Sequence, residues 1–200
     1  MRILFPHLLD YYSFLDFETG KVPGGAGNLA NLVKAFAAAG IVNRVVAVFD
    51  NDTAAESSLA SLRTVALPTN IQTRQLPSLP ALSTYPTLGP TGMSLTNVNG
   101  LAASLELYLG NDVLLDEGAL SPVQWTGYDS KLRKYQGEVL GKEQIHRRFE
   151  KKLLAASQDP GTIAAADWTG LKAVLGMIFR AFNEVDGLLI CRSAQLPASD

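Results

Sequence analysis

The spacing of apolar positions changes character several times within the first 76 residues. Leu8–Phe17 (LLDYYSFLDF) is rich in aromatics, and its second half reads as a strand. Gly24, Gly25 and Gly27 interrupt the pattern. Asn28–Ala39 (NLANLVKAFAAA) then carries apolar residues at helical spacing, with Asn28 as its N-cap and Gly40 where a C-terminal glycine belongs. Arg44–Phe49 (RVVAVF) is short, β-branched and almost wholly apolar, which predicts a buried strand of parallel type. Thr53–Val65 reads as the next helix, and the alternation in Asn70–Leu76 (NIQTRQL) as another strand. Strand, helix, strand, helix, strand implies an α/β layered fold with right-handed crossovers.

Beyond this point the pattern weakens. Residues 77–100 hold Pro77, Pro80, Pro86, Pro90 and three glycines, and read as a long irregular loop of the functional kind. Leu101–Leu109 predicts a short helix, whereas residues 110–141 show no clear period. Lys142–Ala156 (KEQIHRRFEKKLLAA) predicts a charged amphipathic helix. Thr169–Glu184 predicts a more apolar one, packed on the body of the domain or on a partner. There is no internal repeat and no low-complexity segment.

Composition narrows the class. The chain has 200 residues, 47% hydrophobic and 18% charged, as expected of a globular domain with room for an appendage. A net charge of −2 and a pI of 5.7 are unlike the basic balance usual in nucleic-acid-binding domains, so such binding would be local or act through a metal. Cys191 is the only cysteine, which excludes an intrachain disulfide and a cysteine zinc site and fits a reducing cytoplasm. Met1–Leu9 lacks the pattern of a signal peptide, and no apolar run approaches 18 residues, so a cytoplasmic protein without a membrane span is expected.

The sharpest chemical signal is Val45–Asp52 (VVAVFDND), an apolar strand running directly into carboxylates at Asp50 and Asp52. In open parallel sheets ligands bind beyond the carboxyl ends of the strands, where two acids can hold a hard cation such as Mg²⁺. The plainer alternative is a helix-capping Asp50 and a surface Asp52. Glu106 would complete such a cage, against the reading of an exposed helical Glu. Lys142 could neutralise charge on a phosphoryl group, or simply open a solvated helix. His7 reads as structural. His146 stands beside Arg147 and Arg148 and reads as a solvated helix face, though these groups could touch phosphate. The glycines at 24, 25 and 27 form neither a Walker A nor a GxGxxG motif and read as a backbone turn.

Arg44–Ala55 (RVVAVFDNDTAA) resembles the DxD motif of TOPRIM domains, in particular the stand-alone and HEPN-associated Toprim-like proteins of bacteria related to OLD-family nucleases. Tyr12–Gly27, Tyr85–Gly92, Asn97–Gly110 and Pro122–Gly137 resemble further segments of the same group, so the likeness spans roughly residues 5–155. It implies a TOPRIM-like layered fold with a central, mostly parallel sheet flanked by helices, over residues 1–157, and a C-terminal helical extension over 158–200. It also implies Mg²⁺ (or Mn²⁺) held by Asp50, Asp52 and Glu106, with Glu106 and Lys142 in the catalytic set. The group's first-strand Glu has no counterpart before Tyr12, so the expectation is a domain lacking that strand. Nor is there a HEPN Arg-x4-6-His motif, since Arg133 and His146 are thirteen residues apart.

Three functions remain open at this level. One is a Mg²⁺-dependent nucleic-acid phosphodiester hydrolase of TOPRIM type, in phage defence, acting on DNA or RNA. The second is a catalytically impaired TOPRIM-like binding or regulatory module, with a protein partner or a homodimer formed through the C-terminal helices. The third is a phosphatase like the haloacid dehalogenases, with Asp50 as nucleophile and Asp52 as acid/base. The third lacks the expected later acidic pair, since Asp112, Asp116 and Glu117 follow no clear apolar strand.

Overall fold

The computed structural model describes residues 1–17, 19–21 and 23–183. A 3₁₀ turn at Pro6–Tyr11 leads to α1 (Ala26–Ala38), β1 (Val45–Phe49), β2 (Asn51–Asp52), α2 (Thr53–Leu62) and β3 (Ile71–Gln75). There follow β4 (Tyr85–Gly89), β5 (Gly92–Thr96), β6 (Ala102–Ala103), a 3₁₀ helix at Leu105–Tyr108 and α3 (Asn111–Leu114). The chain continues through β7 (Leu115–Asp116), β8 (Ala119–Leu120), β9 (Val123–Asp129), β10 (Lys134–Val139), α4 (Lys142–Gln158), α5 (Gly161–Ala165) and α6 (Thr169–Phe179).

The chain is a mixed α/β protein with several small sheets. The parallel element has two strands, β1 and β3, in register from Val45↔Ile71 to Phe49↔Gln75 and joined through α2. The larger sheet has four strands in the order β10-β9-β4-β5, of which only β4–β9 is parallel. A large, mostly parallel central sheet is therefore not what these residues form: β1 and β3 are short, and β4–β5, β7–β8 and β9–β10 are hairpins, while β2 and β6 form a two-residue antiparallel pair. No helix among the described residues is long and apolar enough to cross a membrane.

Several local expectations change. Residues 12–17 pair with no strand among the described residues. The N-cap of α1 is Gly25 at φ 95°, while the Asn28 side chain donates back to the Gly24 carbonyl at 2.7 Å. Residues 77–100 contain the β4–β5 hairpin rather than a loop. Pro86 is tolerated there because β4 pairs with β9 only at Thr87 and Leu88, so the missing N–H lies outside that ladder. Leu101–Leu109 is a short bridge strand followed by a 3₁₀ turn. The aperiodic stretch 110–141 hides the β9–β10 hairpin, whose Trp125, Tyr128 and Tyr135 rings cluster at 5.1–5.9 Å. Of the helix expected over Thr169–Glu184, α6 covers Thr169–Phe179, and Glu184 lies outside the described residues.

Two apolar clusters hold these pieces. Val33, Ala47, Phe49, Ala55, Leu62 and Ile71 form one between β1, α1 and α2. Tyr85, Val98, Tyr108, Leu114, Val123, Ile145 and Val174 form the other, which joins the four-stranded sheet to α4 and α6. Gly170 lets α6 lie against the 3₁₀ turn, since a Cβ there would meet the Tyr108 carbonyl oxygen at 2.5 Å. Lys152 ties the same region. Its ammonium donates to the Leu109 carbonyl and Asp112 Oδ1, both at 2.8 Å, and to the Asp167 carbonyl, and lies 4.3 Å from the Trp168 ring centre. Lys152→Met leaves these acceptors unpaired. It is expected to lower unfolding free energy by ~2–4 kcal/mol in urea titration, less than for a wholly buried pair because Asp112 stays partly hydrated.

Candidate functional site

Asp50 stands where β1 leaves the parallel pair, and Asp52 where α2 begins. The polypeptide between them is held from several directions. The Leu76 amide donates to the Phe49 carbonyl at 2.8 Å, and the Gly100 amide to the Asn51 carbonyl at 3.0 Å. Asn51 and Asp52 pair antiparallel with Ala103 and Ala102, both buried alanines that let the strands approach. Thr53 is fully buried, and its hydroxyl donates to the Tyr135 carbonyl at 2.7 Å. The direction of each carboxylate is thus set by backbone bonds contributed from residues 76, 100–103 and 135.

Asp50 Oδ1 accepts the Leu105 amide at 3.1 Å, and Asp52 Oδ1 caps α2 by accepting the Ala55 amide at 2.6 Å. The capping role belongs to Asp52, then, and not to Asp50. Glu106 enters on the 3₁₀ turn and Lys142 at the first position of α4. Both lie within electrostatic reach of Asp50, and Lys142 also of Asp52. Residues far apart in sequence, Asp50, Asp52, Glu106 and Lys142, therefore converge. Lys142 also lies 3.6 Å from Glu138.

Burial dominates the titration of the two aspartates. It pushes the Asp50 carboxyl up to about 6, with further upward pressure from the charges of Asp52 and Glu106, against the Leu105 amide and Lys142. Asp52 is also raised by burial, which outweighs its amide bonds and Lys142. Glu106 goes the other way. Burial opposes its charge, but the Ser104 hydroxyl, its own backbone amide, Lys142 and His146 together hold it below the ordinary carboxylate range.

His146, which the sequence presents as part of a solvated helix face, stands beside Glu106. Its Nε2 lies 3.4 Å from Glu106 Oε1, with the imidazole 57% and the carboxylate 15% exposed. The spacing of Lys142 and His146 at i and i+4 places them on one face of α4, a signal present in the sequence. His7 is exposed in the first 3₁₀ turn, with its ring 6.4 Å from that of Phe5. Gly24 and Gly25 form the exposed approach to α1, and Gly27 lies in its exposed first turn.

The donor set is all oxygen, suited to a hard divalent cation. As the side chains stand, no three Asp, Glu, His or Cys groups among the described residues form a metal-holding cluster. Fit to a cation is therefore partial. Asp50 also lines an apolar cleft of about 800 Å³, walled by Leu105, Phe149, Leu153, Trp168, Leu171 and Leu175 among others. Comparison with family models, with curated proteins and with solved structures returns no match to this chain.

The raised Asp50 carboxyl has a consequence for stability. The folded state holds this proton more tightly than the unfolded chain, so its contribution is fully present below about pH 3.8 and is lost as pH rises through about 6. At neutral pH the penalty is roughly 2–3 kcal/mol. Asp50→Asn keeps an acceptor for Leu105 and removes the charge. Urea midpoints are expected to show the variant more stable than wild type above pH 6, with the gap closing toward pH 4.

Proposed function

We propose that this chain is a divalent-cation-dependent phosphodiester hydrolase of TOPRIM type acting on nucleic acid. The observation that supports it is the meeting of Asp50, Asp52, Glu106 and Lys142 beyond the carboxyl end of a parallel strand. Their mutual repulsion and poor hydration are what a bound cation would relieve. Asp50 and Asp52 would hold Mg²⁺ or Mn²⁺, with Glu106 as the further ligand. The cation would supply Lewis-acid activation of water and charge neutralisation at the phosphoryl group. Lys142 would offset the charge that develops on the substrate oxygens. Glu106, held ionised, is the group able to accept a proton from an attacking water.

A second reading has an observation in its favour: a binding or regulatory module. Asp50 lines the apolar cleft, and the three acids do not form a ready-made cage. Such a module would use the cleft for a ligand or partner and would show no turnover.

Calorimetry with Mn²⁺ separates the two. Wild type is expected to bind at pH 7.5 and to lose affinity below about pH 6, where protons compete for Asp50. Asp50→Asn combined with Asp52→Asn is expected to abolish binding while leaving α2 formed, because Asn caps helices as well as Asp. A wild type that binds no cation would overturn the hydrolase reading and leave the module. Lys142→Gln is expected to reduce hydrolysis of DNA or RNA by roughly 10²-fold while changing Mn²⁺ affinity little. Equal loss of rate and of affinity would place Lys142 outside the reacting centre.

A further inference from the structure

The β9–β10 hairpin carries three aromatic rings in contact. Tyr128 and Tyr135 face each other across the two strands with ring centres 5.1 Å apart, and Trp125 lies 5.9 Å from Tyr135. Trp125 is half-buried and packs against the larger apolar cluster, which anchors the group. The two tyrosines are 55% and 57% exposed. A cross-strand aromatic pair steadies a hairpin, but that role calls neither for exposed rings nor for the charges placed beside them. The turn that joins the strands presents Lys131 and Arg133 to solvent. The Asp129 carboxylate serves the backbone of the turn, where its Oδ1 accepts the Lys131 and Leu132 amides, both at 2.9 Å. In a chain of net charge −2, this hairpin thus brings two exposed cations next to two exposed rings.

The hairpin is also docked on the acidic end of the molecule. The Thr53 hydroxyl donates to the Tyr135 carbonyl at 2.7 Å, and Lys134 pairs with Glu56 in the first turn of α2. Thr53 follows Asp52 directly, so the residue whose ring contacts both of the others has its backbone against the acidic segment. We propose that Trp125, Tyr128 and Tyr135, with Lys131 and Arg133, form a stacking platform for single-stranded nucleic acid beside Asp50 and Asp52. The proposal rests on the hydrolase reading only for the fate of the bound strand, not for its binding. Every base has a flat π face, so exposed rings take unpaired bases whatever their identity. Cations beside the rings neutralise the phosphates of the same strand. Bases inside a duplex are already stacked on one another and offer no face to these side chains, so the platform selects the unpaired strand.

Fluorescence anisotropy on the full-length protein in EDTA tests this without hydrolysis. The probes are a labelled oligothymidylate, a duplex of the same length, and an abasic strand of the same length and backbone charge. Oligothymidylate is expected to bind at least about tenfold more tightly than either of the others. Tyr128→Ala and Tyr135→Ala are each expected to weaken it by about fivefold or more, and Tyr128→Phe and Tyr135→Phe to change it little, since the ring and not the hydroxyl stacks. Lys131→Gln combined with Arg133→Gln should lower the slope of log affinity against log salt by about 1.4. Equal affinity for oligothymidylate and the abasic strand overturns the platform, as does tighter binding of the duplex. That comparison uses the wild type alone, so it decides even if an alanine variant fails to fold. Alanine variants that melt like wild type and bind oligothymidylate equally well also overturn it. Calorimetry with Mn²⁺ keeps the two readings apart. Cation binding without strand binding overturns the platform and leaves the hydrolase reading, whereas strand binding without cation binding supports the platform and overturns the hydrolase.

Discussion

Everything at the acidic end of this molecule depends on how the backbone from Phe49 to Thr53 is pinned. It leaves the β1–β3 pair at Phe49, crosses to Ala102–Ala103 for two residues, and is fastened to the far hairpin by the Thr53 hydroxyl. The same few residues join the two apolar clusters, because Phe49 belongs to one while Ala102 and Ala103 belong to the other. The segment can take this path only because its neighbours are small. A larger residue at Ala102, Ala103 or Ala55 would separate the strands and turn the carboxylates away from one another.

This pinning explains the electrostatics. A free chain would let Asp50 and Asp52 move apart and hydrate. Here Asp50 is fixed by the Leu105 amide, and Asp52 is committed to the start of α2, so their charges stay close in a poorly hydrated place. Glu106 arrives from the following turn and adds a third negative charge, and Lys142 balances only part of the total. The strained ionisation of Asp50 is therefore built into the fold and opposes its stability at neutral pH. Proteins tolerate such local penalties where a site works, and the two apolar clusters are what offset this one.

The surroundings of the cluster are asymmetric. On one side α4 brings Lys142 and His146 over Glu106, which makes that side polar and partly open to water. The apolar cleft lined by residues of α4 and α6 also takes in Asp50. A ligand that carries both an anionic and an apolar part would find complementary surfaces at the two sides.

The sequence determined the βαβ unit. Val45–Phe49 is apolar without interruption, Thr53–Leu62 keeps a helical stripe, and Ile71–Gln75 alternates, so local preference and burial agree. The placement of two acids at the strand end followed from the same short run, as did the amphipathic α4. Tertiary structure decided the rest. The β4–β5 and β9–β10 hairpins were illegible because Pro86, Gly127 and Gly137 weaken strand preference. Those strands are also stabilised by cross-strand partners, such as Trp125 with Tyr135, that no local window contains. Sequence could nominate Glu106 and Lys142 beside the aspartates, but only long-range packing could bring positions 50, 52, 106 and 142 together, because charge interaction depends on distance and hydration in space rather than along the chain.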